Sequence, residues 1–215
     1  MNKTAVFWFG IIGSILFIIP SILGGLQFEN YNHIQQFISE GFAIDTPYGT
    51  YLRFLGYIPS GILIAAFSFS AIQTLPKSNL AKIGLILFGV FYGIGNIIVA
   101  VFPCDSGCNK ELIDPTISQI IHNTSGTLTY LIVPISLILI GLGIKKWKNG
   151  KSISLISFVC ASIAILFSIL LSGNPNGNYI GLFQRLIESS ILFWLINFAF
   201  YLKNTTTLKN SYRNS

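Results

Sequence analysis

Six stretches of this chain, at about 5–26, 51–74, 81–103, 118–144, 153–172 and 180–202, stay apolar for the roughly 20 residues a helix needs to cross a bilayer core. Lipid offers no hydrogen-bond partner to a backbone N–H or C=O, so each stretch has to be an α-helix. The expected fold is all-α: a polytopic bundle of six transmembrane helices in a single domain over 1–202, closed by a short polar tail at 203–215. A water-soluble fold fails on composition. Charged residues make up 9% of the chain, against roughly 25% in soluble domains, and 52% of it is apolar.

A net charge of +6 suggests nucleic acid until the charges are placed. With the N-terminus set in the cytoplasm, Lys3, Lys77, Lys82, Lys145, Lys146, Lys148, Lys151, Lys203, Lys209 and Arg213 fall on the cytoplasmic side, ten of thirteen basic residues. All seven acids (Glu29, Glu40, Asp45, Asp105, Glu111, Asp114, Glu188) fall on the opposite face or just inside it. That asymmetry is the positive-inside pattern, so a multi-pass cell-membrane protein with both termini cytoplasmic is expected. The patch Lys145-Lys146-Trp147-Lys148 reads as a topology anchor near anionic headgroups. No soluble module is available to bind nucleic acid. The first run, preceded by Lys3, also has the outline of a signal peptide cut near Gly24-Gly25. Its apolar length exceeds the usual signal core, which favours a retained helix.

The segments between spans carry their own signals. In the first outer loop Phe28, Tyr31, Ile34 and Ile38 recur at helical spacing, which predicts a short amphipathic helix ending at Gly41. It would rest on headgroups or cover the bundle mouth. In the second outer loop Cys104 and Cys108 lie four apart on the oxidising side, where they can close a small disulfide loop. A redox pair would call for Cys-x-x-Cys spacing. A metal site shared with His122 lacks ligand spacing, so no metal and no cofactor is implied. Cys160, inside the fifth span, reads as a small apolar filler. Pro20, Pro59 and Pro134 are expected to kink their helices, and Gly89-xxx-Gly93 and Ala66-xxx-Ser70 allow close helix approach.

Polar groups within spans are costly, and they mark a functional site by default. Asn96, His122, Asn123, Arg185 and Glu188 all sit one to two turns below the outer ends of their spans. Gln119, His122, Asn123, Gly126 and Tyr130 share one helical face. A structural reading pairs Arg185 with Glu188 or Asp105 and has His122 donate to Asn96. A functional reading makes the same residues a polar pocket opening outward, roofed by the two outer loops.

Four segments occur together in order: Ile38-Ser39-Glu40, Phe102-Pro103-Cys104-Asp105-Ser106-Gly107-Cys108, Ile121-His122-Asn123 and Gly181-Leu182-Phe183-Gln184-Arg185-Leu186. In this order the chain resembles the bacterial and archaeal membrane family named domain of unknown function 998, from the first span to the last. The resemblance implies six membrane helices and no established activity. It places Glu40, Asp105, His122 and Arg185 at motif positions.

Two function classes follow. In an enzyme or lipid-handling protein, Arg185 would hold an anionic or lipid-like head group with Glu188, Asn96 and Asn123 around it. His122 would act as general acid or base, oriented by Asp105 or Glu40, at the outer leaflet. In a non-enzymatic protein (a sensor, an assembly factor or a small-solute carrier) the same cluster would be purely structural. The expected partners are membrane lipids and a small amphiphile. A carrier of six spans would also call for a second copy of the chain.

Overall fold

The computed structural model describes residues 2–147 and 149–211, with side chains through Thr205. Lys148 and Arg213, and the Lys209 side chain, lie outside the described residues. The six apolar stretches are helices long and apolar enough to cross a membrane. They are α1 (Lys3–Leu23, with a 3-10 turn at Gly24–Gln27), α2 (Gly49–Thr74), α3 (Asn79–Val101), α4 (Ile117–Ile144), α5 (Gly150–Gly173) and α6 (Ile180–Ser211). No strand occurs among the described residues.

Helix starts follow capping chemistry. The side chains of Asn2, Ser78 and Thr116 accept from the backbone N–H of Thr4, Ala81 and Gln119, answering donors that a helix start leaves open. Pro59 has no N–H to offer the Leu55 carbonyl, and the backbone widens to a π-helical turn at Arg53–Tyr57 just before it. A second π turn, Gly89–Ile94, interrupts α3. Neither is signalled by the apolar pattern.

Consecutive helices pack side by side, and α6 closes the ring against α1. Lipid tails are as apolar as the side chains, so packing and interhelical hydrogen bonds hold such a ring together. Small residues set the α2–α3 contact: a Cβ on Gly61 would stand 2.6 Å from the Gly93 carbonyl oxygen, and one on Gly93 would stand 2.7 Å from Ala65 N. Gly93 thus does what the spacing anticipated, but the α2 partners are Gly61 and Ala65 rather than Ala66 and Ser70. Hydroxyls stitch neighbouring helices through Ser60 to Gly13 O (2.8 Å), Ser68 to Leu85 O (2.6 Å), Thr129 to Phe91 O (2.7 Å) and Ser154 to Gly141 O (2.8 Å).

Both described chain ends lie at one end of the ring, and the two long loops lie at the other. Toward the terminal end the centre is filled. Trp194 stacks on Phe198 with ring centres 4.9 Å apart, meets Phe88 at 4.8 Å, and gives its N–H to Ser157 at 2.8 Å. One turn above this aromatic plug comes Tyr92, and from there to the loops the centre is open.

Between α1 and α2 the first loop is helical only at the 3-10 turn Ser39–Phe42, and residues 28–38 are turns, bends and irregular backbone. Tertiary partners claim the groups a longer helix would use. Ile34 O accepts from Leu182 N at 2.9 Å, and Ile38 N donates to the Gln184 side chain at 2.6 Å. Asn32 folds back locally, its side chain accepting from Ile34 N at 2.9 Å.

Candidate functional site

The open half of the ring is a cavity of about 600 Å³ reached by all six helices and by both long loops. Its walls are mainly aromatic and aliphatic, with Phe17, Phe42, Tyr57 and Tyr92 among them. Loop residues Phe37, Ile38, Ser39 and Phe42, and Cys108 with Lys110, form the roof. On one side the lining includes Leu131 of α4 and Ile169 of α5, residues that are 60% and 64% exposed. The cavity therefore opens sideways between α4 and α5, where a membrane helix meets lipid.

Glu188 is at the floor, one side-chain layer above the plug. It is buried and accepts two phenolic hydrogens, from Tyr92 to Oε2 and from Tyr130 to Oε1, each at 2.8 Å. Two charge-assisted donors satisfy the carboxylate without a cation. Arg185, three residues earlier on α6, does not pair with it. Nη1 of Arg185 donates to His33 O and Gln36 O (both 2.7 Å) and to Gly181 O (3.0 Å), and Nη2 donates to the Tyr31 hydroxyl at 2.8 Å. The guanidinium also lies over the Tyr31 ring, 5.6 Å from its centre. Gly181 makes the contact possible, because a Cβ there would strike Gln36 O and stand 2.7 Å from His33 O. Arg185 is thus the clasp that docks the first loop on α6. Burial raises the Tyr31 phenol, and burial together with the nearby Arg185 lowers His33.

His122 sits on the cavity wall with its ring anchored. Nδ1 lies 2.9 Å from Phe102 O and 3.1 Å from Val99 O, both at the C-terminal end of α3. Carbonyls only accept, so the proton is on Nδ1. Nε2 is left as the ring's open acceptor. Neither Glu40 nor Asp105 orients this ring. Glu40 is buried in the roof, where Lys110 pairs with it at 3.0 Å and Gln36 Nε2 and Phe37 N donate to it at 3.1 and 2.9 Å. Asp105 instead holds Thr116, the cap residue of α4, accepting from its hydroxyl (2.6 Å) and N–H (3.1 Å). These bonds, the Thr116 hydroxyl foremost, hold the Asp105 carboxyl below its usual value.

Asn96 donates to Tyr57 O at 3.0 Å, which ties the helix after one π turn to the last residue of the other. The fully buried Tyr57 shares a hydrogen bond with Ser21, hydroxyl to hydroxyl at 3.0 Å. Asn123 accepts from Gln119 Nε2 at 2.9 Å, while Gln119 Oε1 takes Asp105 N at 2.7 Å. Cys104 and Cys108 are disulfide-bonded and buried, with Ser39 Oγ 3.2 Å from Cys108 Sγ. The second loop is thereby pinned to the first, helped by Ile44 N donating to Cys104 O at 3.0 Å.

The structure therefore brings Asn96, His122, Asn123 and Glu188 to one cavity, and puts Glu40, Asp105, Cys104, Cys108 and Arg185 in its roof and supports. Tyr92 and Tyr130 bond the carboxylate. The helical spacing puts Tyr130 on the His122 face, while nothing in the spacing marks Tyr92. A phenol at depth in a span needs a buried partner, and that requirement is the signal that points to it. Among the described residues one buried side-chain oxygen lacks a hydrogen bond, Ser168 Oγ, and Ser168 lines the cavity.

Residues 11–201 match the model of a family described as protein of unknown function (DUF998). No curated protein and no solved structure matches the chain.

Proposed function

The chain belongs to the DUF998 family, whose description carries no activity, and on that premise we propose that it binds a lipid-like amphiphile in the cavity at the loop end of its bundle. The observation that supports this is the cavity's shape and lining. It has about 600 Å³ of mostly apolar space, within the range of about 300–1,000 Å³ of small-molecule sites, and opens toward lipid between α4 and α5. The tail would lie past Leu131 and Ile169, and the head would meet Glu188, Asn96 and Asn123 on the inner wall. His122 Nε2 is the group in position to take a proton from that head if the protein acts on it. Glu40, Asp105 and the Cys104–Cys108 disulfide hold the roof above it, and Arg185 holds the first loop.

We place the loop end outside the cytoplasm, with both termini inside, in the cell membrane. Lys77, Lys82, Lys145, Lys146, Lys151 and Lys203 gather at the terminal end, and the disulfide suits an oxidising compartment. A membrane-impermeant amine reagent that labels Lys110 but not Lys82 in intact cells supports this, and the reverse labelling defeats it.

The cavity itself is tested by filling it. Gly126 lines it, and a Cβ there meets nothing within 4 Å, so Gly126→Phe projects a ring into open space. Lipids extracted from the purified wild-type protein should be depleted in the variant. Identical lipids at identical occupancy would sink the proposal.

The dense internal bonding of Glu188, His122 and Asn96 favours a second reading, a non-enzymatic sensor, assembly factor or carrier whose polar cluster only fixes the bundle. Under it, His122→Ala leaves function intact while Glu188→Ala does not fold.

A further inference from the structure

We infer that the cavity selects an amphiphile whose head donates hydrogen bonds and carries no anion, that is, an alcohol or an ammonium. The inference rests on the amphiphile reading above and adds the chemistry of the head. It follows from where the donors go. Tyr92 and Tyr130 each own one O–H, and both are given to Glu188. What faces the cavity there is acceptor capacity: phenolic oxygens and the remaining lone pairs of a carboxylate. The His122 ring has placed its proton on the α3 carbonyls and offers Nε2. Thr129 has given its hydroxyl hydrogen to backbone carbonyls.

The donors left on the lining, the Asn123 side-chain amide and the hydroxyls of Thr127, Ser168 and Ser172, are neutral, and the Gln184 amide bonds Tyr130. No cation is left to balance an incoming anion. Arg185 is committed to the first loop, and Lys110 at the rim is paired with Glu40. A phosphate or carboxylate head would enter a space of low dielectric beside the Glu188 carboxyl with no cation to balance it, where an unpaired charge costs most. An alcohol O–H or ammonium N–H supplies the hydrogen this wall lacks, and an ammonium also supplies the missing countercharge.

The test uses full-length protein in nanodiscs of zwitterionic lipid and three probes with one common tail: hexadecanol, hexadecylamine and hexadecyl phosphate. Binding is read by native mass spectrometry. The alcohol and the amine should bind at least about ten-fold more tightly than the phosphate, and Glu188→Gln should reduce the amine's advantage over the alcohol. Gly126→Phe, or Ile169→Trp at the side opening, should abolish binding of every probe. Phosphate binding equal to alcohol binding, and lost in Gly126→Phe, overturns the head-group inference and leaves the amphiphile reading standing. No binding by any probe, or binding that survives both filled variants, overturns the amphiphile reading and this inference with it. Should Glu188→Gln fail to fold, the wild-type ranking of the three probes decides.

Discussion

Arg185 and Glu188 sit three residues apart on one helix and bond in opposite directions. The carboxylate turns into the ring to take Tyr92 and Tyr130, and the guanidinium turns up to take His33, Gln36, Gly181 and Tyr31. An i, i+3 ion pair was available to them and would have contributed only a few tenths of a kcal/mol. Each makes stronger bonds separately. The consequence is a division of labour along α6, with the floor of the cavity built by one residue and its roof fastened by the other.

Arg185→Ala should therefore loosen the first loop without collapsing the bundle. Hydrogen bonds from a charged donor contribute about 1.5–3 kcal/mol, and the loop has few other anchors on α6. Hydrogen exchange over residues 31–42 should rise well above wild type while exchange in α2 and α5 stays flat. Arg185→Lys should recover only part of the protection, because one ammonium cannot span His33 O, Gln36 O and the Tyr31 hydroxyl in the geometry of a planar fork. His33 should titrate closer to its usual 6.5 in the alanine variant, since Arg185 is one of the two causes that lower it. Unchanged exchange in the loop would remove Arg185 from this role.

Glu188→Ala leaves two buried phenolic hydroxyls without an acceptor. An unmade buried hydrogen bond costs about 1–3 kcal/mol, so the variant should lose about 2–6 kcal/mol and melt well below wild type. Adding Tyr92→Phe and Tyr130→Phe to that variant removes the orphaned hydroxyls and should restore part of the loss. A triple variant no more stable than Glu188→Ala would show that the hydroxyls are not the source of the cost. The comparison is a thermal melt of each purified protein in one detergent.

Acid should release the second loop. The Asp105 carboxyl titrates below its ordinary value of 3.8 in the folded protein, because the Thr116 hydroxyl and N–H bond its charged form. Its contribution is complete above the unfolded value, near 3.8, and is lost as pH falls through the lower folded value. Exchange protection across residues 105–117 should hold steady from neutral pH down to about pH 4 and fall below it. Asp105→Asn should start less protected and show no such fall. A wild-type loop that loosens between pH 7 and 5 would implicate another group.

The sequence carried the fold because lipid imposes it: the six helices follow the apolar runs to within about three residues, except that α6 continues past its run to Ser211. It also carried Asn96, His122 and Glu188, which are found on the cavity lining, because polar atoms inside a span are rare enough to stand out. It could not carry the Arg185 clasp. Three of the four acceptors there are backbone carbonyls, which every residue owns and no pattern marks. The same contacts explain the first loop. The helical spacing of Phe28, Tyr31, Ile34 and Ile38 is real, but α6 takes the backbone groups of Ile34 and Ile38, and the loop settles into turns. The π turns were hidden as well. The apolar pattern marks neither, although Pro59 lies just past the first.

Two glycines within spans, Gly93 of α3 and Gly126 of α4, should respond in opposite ways to one added methyl. Gly93 is wedged on α2: a Cβ there would lie 2.7 Å from Ala65 N and 2.8 Å from Ala65 Cα, both backbone atoms that cannot turn aside. Gly93→Ala must push α2 and α3 apart, and overpacking of this kind costs about 1–3 kcal/mol. At Gly126 nothing lies within 4 Å, and the backbone is ordinary helix, so Gly126→Ala should gain about 0.5–1 kcal/mol from the lost freedom of the unfolded chain and from helix propensity. The measurement is the melting temperature of both variants beside wild type. Opposite shifts are expected. A Gly126→Ala variant that melts lower would mean that the space beside α4 is not open, and it would count against the cavity on which the functional proposal depends.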